Sequence, residues 1–540
     1  MPNMNRFLLF GAFAAALSAA DAPPAFSPTF ESRAPLVSKG KIDDLVFARW
    51  KALGIQPANP ASDGAFFRRA YLDAIGTLPT AKEAAGFLAD PDPNKRAALI
   101  DRLLDRDEFP EFCAMRWSDL LRVKAEFPIN LWPNAAQAYY HWILDSLRAN
   151  QPYDRFARDL LTSSGSNFRD PPVNFYRAMQ NREPEGIAQT VALTFMGVRA
   201  GEWPKERLAQ MAAFFSHVGH KYTGEWKEEI VFFDPIPHPP KPAGDAPVPP
   251  APASPPTPAL LTFPDGSQAR IAPDQDPRQA FADWLISPRN PWFARAIVNR
   301  IWYWLDGRGI VQEPDDIRPD NPPSNPELLA WLERELVASH YDLKHIYRLI
   351  LNSGTYQLSS IPRSDKPEAA ANFASYPLRR LDAEVLIDAL CQISGLSESY
   401  TSSIPEPITF MPDNQRAIGL PDGSIGSAFL ELFGRPPRDT GLASERNNRL
   451  TDAQRLDLLN STQIQRKIQQ GPKLLALMRE FRNNRELVDQ LYLTVLSRKP
   501  TDDEWKQIVA HSQSGAARGQ QAFVDLAWAL VNSSEFLYRH

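Results

Sequence analysis

The chain has 540 residues, 43% of them hydrophobic, which excludes a disordered polymer and is enough for two or more packed domains. A formal net charge of −5 leaves no excess of positive charge for a nucleic-acid partner. With only two cysteines, Cys113 and Cys391, the chain is no disulfide scaffold.

The N-terminus reads as an export signal. Arg6 precedes an apolar core, "FLLFGAFAAALSAA", at residues 7–20, and the small residues of "SAA" suit cleavage after Ala20. Export to a periplasm or cell surface is the expectation. No later segment has about 18 uninterrupted apolar residues, so no membrane span is expected after cleavage. Residues 21–40 form a polar arm.

From residue 41 to 234 the pattern is that of a helical domain. "IDDLVFARWKALGI", "FFRRAYLDAIG", "KRAALIDRLLD", "AAQAYYHWILDSLRAN" and "YDRFARDLLTSSG" repeat apolar residues at three and four, and breaks such as "GTLPT" separate them. Within "VALTFMGVRAGEWPKERLAQMAAFF", residues 191–215, a helix stops, turns through Gly201 and Pro204, and restarts. "EEIVFFDP" is a short strand candidate.

Residues 235–275 read as a linker and hairpin. Twelve of the 24 residues from 235 to 258 are proline, which excludes helix and central strand and predicts an extended spacer. In "LLTFPDGSQARIA", Asp265-Gly266 suits a tight hairpin turn.

Residues 276–540 are again helical. Ser324 or Asn325 can cap a helix with Pro326 in its first turn and Glu327 at its positive end. A second helix starts at Asp382 and stops at Gly395, and Thr501 with Glu504 makes a capping box. The fold class is therefore mainly α: two helical domains joined by a Pro-rich linker, with a small antiparallel β element near it.

Several polar residues stand in apolar places. Arg300 shares a helical stripe with Ile297, Ile301 and Trp304, where an unpaired guanidinium would be costly. Asp315 and Asp316 are its natural partners, either as an ion pair that locks the loop or as part of a pocket of arginine and paired acids. Arg379 and Arg380 precede a helix on which Glu384, Asp388 and Cys391 fall at i, i+4 and i+7. These carboxylates can form a salt-bridged or solvated face, or do acid–base work if burial splits their pKa values. "FGRPPRDTGLASER" places Arg435, Arg438, Asp439, Glu445 and Arg446 around a rigid Gly-Pro-Pro loop, suited to inter-helix pairing or to recognition of carboxylate, phosphate or sulfate. The histidine pairs His217/His220 and His340/His345 lack a third ligand nearby, and neither cysteine belongs to a CxxC or Cys/His cluster, so no metal site is predicted. The cysteines fall in separate domains and are expected as buried free thiols. There is no GxSxG elbow, P-loop or dinucleotide fingerprint.

"FFRRAYLDAIGTLPTAKEAAGFL", "QPYDRFARDLL", "NPWFARAIVNRIWYWLDGRGIVQEPDDIRPDNPPSNPELLAWL", "SYPLRRLDAEVLIDAL" and "FLELFGRPPRD" together resemble the planctomycete-type, cytochrome-associated family, a tandem pair of domains of unknown function. The resemblance covers nearly everything from Ile42 onward. It implies an exported, mostly helical protein, often joined to a c-type cytochrome module and encoded near sulfatase-like proteins, and supplies no reaction or catalytic residues. Many members carry a CxxCHxHP-type loop after their equivalent of residues 195–199, and a cysteine before their equivalent of Glu445-Arg446. Here the first loop is shorter and without cysteine or histidine, and the second position reads "TGLAS". No CxxCH is present to hold a haem, so no cofactor is expected. The reading is a binding or assembly component of the cell envelope, with an envelope protein or polysaccharide as partner and no nucleic acid. The alternative is a hydrolase or lyase-type enzyme acting on extracellular polysaccharide, its pocket built from Arg300, Asp315, Asp316, Arg435 and Arg438 with Glu384 or Asp388 as proton carriers.

Overall fold

The structure is a computed structural model that describes residues 25–236, 258–405, 408–481, 483–514 and 519–540. The signal segment 1–20 and most of the Pro-rich run lie outside the described residues. The protein is mainly α, with 53% helix and 6% strand. No described helix is long and apolar enough to cross a membrane.

The helix boundaries follow local chemistry. The Asn325 side chain accepts from the Leu328 amide, with Pro326 at the first position of the helix Pro326–Ala338. Thr501 and Glu504 form the capping box of Asp502–Gln513. Ala383–Ser394 ends on Gly395, whose φ of 78° lies in the left-handed region that glycine adopts without strain. At the N-terminus of that helix the Asp382 side chain makes no capping bond; it is turned to the ion pairs described below.

Among the described residues, three small antiparallel sheets accompany the helices. Glu229–Phe233 pairs with Val218–Tyr222 on one side and Gly165–Ser166 on the other. Ala259–Thr262 pairs with Gln268–Ile271, and the connection runs from residue 263 to 267, longer than a two-residue turn. Phe263 accounts for the extra length: its backbone bonds Ser267 and Gly266, while its ring stacks 4.6 Å from Phe214 and 5.1 Å from Trp284. Arg379–Arg380 pairs with Tyr538–Arg539.

The apolar core does not divide at the Pro-rich run. One cluster contains residues from Ile42 to Tyr376, so elements on both sides of the run share it. A second holds residues from Leu381 to Leu537 and also takes in Leu72, Leu78, Phe112 and Met115. Asp63–Ala74 and Glu108–Leu120 reach both clusters because they are buried on nearly every face, as helices without a solvent side must be. The polar arm is tied down as well. Glu31 accepts from Arg363 at 2.6 and 2.7 Å, and Asp43, just beyond the arm, accepts from Gly354 and Thr355. Both cysteines are free; Cys113 is buried as expected, whereas Cys391 is only half-buried beside Lys467.

The break in residues 191–215 takes shape from what packs against it. The helix Pro184–Val191 widens into a π-turn, Ala192–Met196, and stops at Gly197 with φ 64°. A Cβ there would lie 2.9 Å from the Pro314 carbonyl oxygen and 3.0 Å from Ile317 Cδ1, so the close approach of the 313–317 loop requires glycine. The Ile317 amide then donates to the Gly197 carbonyl at 2.9 Å. A short 3-10 turn, Ala200–Glu202, precedes the restart at Lys205–Ala212.

Candidate functional site

Arg300 lies on Phe293–Asp306 and is 1% exposed. Its guanidinium donates to the carbonyls of Leu193 and Thr194 in the π-turn and to Asp315 Oδ1 at 3.0 Å. Asp315 Oδ2 accepts from the Ala443 amide at 2.6 Å. Asp316 takes no part: it faces Arg318 Nε at 3.2 Å, a correction to its expected pairing with Arg300. The π-turn that leads into the first loop departing from the resembled family, and the second such loop at Ala443, are thus tied to a single Arg300–Asp315 pair.

The other predicted arginines meet between the two apolar clusters, in a layer of buried ion pairs. Arg446 grips Glu384 through two nitrogens, at 2.7 and 3.1 Å, and also reaches Asp119 Oδ2 at 2.7 Å. Arg438 Nε donates to Asp119 Oδ1 at 3.0 Å, and Arg435 Nε stands 3.6 Å from Glu384. Arg379 reaches Asp73 at 3.3 Å, where the Tyr356 and Tyr376 hydroxyls donate at 2.8 Å each. Arg539 bridges Asp73 at 3.2 Å and Asp382 at 2.8 Å. Arg380 donates from Nε to the Asn448 carbonyl and from Nη2 to those of Phe433 and Asn447. Glu445 accepts from the amides of Asp439 and Thr440.

Burial in this layer would raise every carboxyl pKa, and the arginines decide which ones stay ionised. Against burial, Arg539, Arg446 and Arg116 hold Asp382 well below the usual carboxyl value. Arg446 likewise keeps Glu384 low. Asp388 is pushed up to about 6 by burial, against Arg416 and two backbone amides. Those amides, Ala417 and Ile418, donate to its two oxygens at 2.7 and 3.1 Å. Glu384 and Asp388 therefore do have split pKa values, but each is engaged by fixed donors. An intact buried pair stabilises little, whereas removing one partner costs about 3–5 kcal/mol, so the layer fixes geometry more than it adds stability.

An open cleft lies elsewhere, at the sheet Val218–Tyr222/Glu229–Phe233. It has a volume of about 470 Å³ and is lined by Asn130, Arg177, Gln180, Arg182, Tyr222 and Lys227. Beneath it, Glu229 is 1% exposed and accepts from Arg177 at 2.6 Å and Arg182 at 3.0 Å, with His220 at 3.3 Å. Burial opposes its ionisation, but His220 and the two arginines hold it at about 2. Beside the lining residue Lys227, Trp132 and Trp226 meet edge to face at 6.3 Å, and the Lys227 ammonium sits 5.0 and 5.2 Å from their ring centres. Trp226 is 76% exposed and Tyr222 73%. Among the described residues no group of three or more His, Cys, Asp or Glu could hold a metal ion.

Residues 41–216 match a family described as a protein of unknown function (DUF1549), and residues 277–512 match a second, also a protein of unknown function (DUF1553). The chain belongs to this tandem family. No curated protein and no solved structure matches it.

The ion-pair layer joins the two family domains. Asp73, Arg116 and Asp119 belong to the DUF1549 part, and Arg379, Asp382, Glu384, Arg435, Arg438 and Arg446 to the DUF1553 part. The cleft combines DUF1549 residues with Tyr222 and Lys227, which lie between the matched ranges. Sequence reasoning missed this cleft and also the strand Val218–Tyr222, whose "SHVGHK" lead-in reads as a helix end. The available signal was "YTGEWKEE", an aromatic pair inside an otherwise polar, turn-forming stretch.

Proposed function

We infer that this protein is an exported component of the cell envelope that binds or assembles and does not transform a substrate of its own. The observation that supports this reading is the state of the predicted reaction residues. Arg300, Arg438, Arg446, Asp315 and Glu384 are each engaged by an opposite charge, Arg300 and Asp315 with each other and the rest within the buried ion-pair layer. A reaction site needs a concave space beside its acid and base. Neither Glu384 nor Asp388 lines the cleft at Val218–Tyr222.

The competing reading is a hydrolase or lyase-type enzyme on extracellular polysaccharide. One observation favours it: the low pKa of Glu384 against the raised one of Asp388, an acid–base pairing in energy if not in access. Incubating the purified protein with acidic and sulfated polysaccharides separates the two. Binding without new reducing ends or unsaturated products supports the binding reading. Sustained turnover that is abolished by Glu384→Gln or Asp388→Asn establishes the enzyme. A pull-down from native envelope is expected to recover a partner protein or polysaccharide.

A further inference from the structure

We propose that the cleft lined by Tyr222, Lys227 and the Arg177–Arg182 segment, with the Trp132–Trp226 pair beside its Lys227, is a binding site for an acidic saccharide, a sugar chain bearing isolated carboxylate or sulfate groups. The proposal rests on the binding reading above and names its ligand.

Three features of the cleft point to this chemistry. First, Tyr222, which lines the cleft, is 73% exposed, and Trp226, whose ring lies against the lining residue Lys227, is 76% exposed. Exposed rings of this size are costly to leave wet, and the C–H face of a pyranose is a natural cover for them. Second, the exposed Asn130 and Gln180 lie in the same lining. The Asn130 side chain makes no hydrogen bond to another described residue, while Gln180 donates to the Asp439 carbonyl at 3.1 Å and keeps its acceptor oxygen. Amides in this position can pair with sugar hydroxyls, which donate and accept at once. Third, the positive charge is metered. Arg177 and Arg182 share the buried Glu229, whereas Lys227 has no carboxylate partner among the described residues and is held only between two rings. Three cations against one carboxylate leave about two net positive charges, with Arg182 half-buried beside Glu229. That suits one or two acidic groups among several neutral sugar hydroxyls better than a densely charged polyanion.

The same features weigh against other occupants. A nucleic-acid strand would need a run of unpaired cations along its backbone, and the chain as a whole carries −5. A protein interface would need a broad apolar centre, whereas this cleft is lined mostly by polar and charged groups.

The test is titration calorimetry on the full chain with four probes: a hyaluronan tetrasaccharide, a κ-carrageenan tetrasaccharide, neutral cellotetraose and tetra-aspartate. The first two carry isolated carboxylates and isolated sulfates, so they separate the two sources of acidity. Saturable binding of at least one of them is expected, about tenfold tighter than cellotetraose or tetra-aspartate. Trp226→Ala and Lys227→Gln are each expected to weaken it about tenfold, with Trp226→Phe retaining most of the affinity. Both side chains are exposed, so unchanged circular dichroism is expected of these variants. The proposal is overturned by no saturable binding of either charged sugar, by equal binding of cellotetraose or tetra-aspartate, or by affinity indifferent to Trp226 and Lys227. If the sugars fail while the envelope pull-down still recovers a partner, the assignment of the cleft falls and the binding reading stands. If both fail, the reading falls too.

Discussion

At the scale of single residues, two buried aspartates show how partners decide charge. Asp382 is surrounded by Arg539, Arg446 and Arg116 and stays ionised well below the usual carboxyl range. Asp306, the last residue of its helix, is just as buried, but its Oδ2 has no hydrogen-bond partner. Burial, with Arg379 opposing and the nearby Asp73 reinforcing, pushes its pKa up to about 7 from an unperturbed 3.8. The folded protein therefore binds one more proton than the unfolded chain between those two values, and stability falls as pH rises through that window. Asp306→Asn removes the titration. It should leave stability nearly unchanged at pH 4 and raise it at pH 8, by on the order of 4 kcal/mol. Urea melts of both proteins at the two pH values read this out; an equal effect at both would show that Asp306 does not titrate in the window.

At the scale of elements, the helix break at Gly197 is held open from outside. The carbonyls of Leu193 and Thr194 would be poorly served in a widened π-turn, and the Arg300 fork takes both while anchored by Asp315. Lysine keeps the charge and loses the fork. Arg300→Lys should therefore speed amide exchange across residues 192–200 by about tenfold or more, leaving the Ala383–Ser394 helix slow. Exchange measured by mass spectrometry that changes equally in both segments would point to global destabilisation instead. The Arg300–Asp315 contact was legible in the sequence, because a guanidinium on an apolar stripe needs an acid and one lay within a single loop. The caps at Asn325 and Thr501 and the stop at Gly395 were legible for the same reason: their chemistry is complete within a few residues. Asp119 was not legible as the shared partner of Arg438 and Arg446, since no local signal joins positions more than three hundred residues apart. Nor was the cleft, whose two tryptophans come together only when Val218–Tyr222 pairs with Glu229–Phe233. Glu229–Phe233 announced itself as "EEIVFFDP", but Val218–Tyr222 is too short and too polar in pattern to be read as its partner.

At the scale of the whole molecule, the Pro-rich run marks a change in composition and not a break in the core. Elements before and after it pack into one apolar cluster. Tyr153 stacks on Phe293 at 4.5 Å with rings nearly parallel. Asp43 bonds the Gly354 and Thr355 amides at 2.8 and 2.9 Å, and Arg69 donates to the Tyr356 carbonyl at 2.6 Å. The ion-pair layer then fastens the second cluster to Asp73 and Asp119 of the N-terminal family domain. If these contacts and not the covalent connection hold the halves together, cutting the chain within residues 237–257 should leave them associated. A protease site placed there and cleaved under native conditions is expected to give two polypeptides that co-elute at the size of the uncut protein and part only in denaturant. The same uncut protein should melt in a single cooperative transition, because neither family domain keeps its core without the other. Halves that separate on cleavage, or two resolved transitions in calorimetry, would mean that each domain closes its own core and that the shared cluster is a contact between finished units.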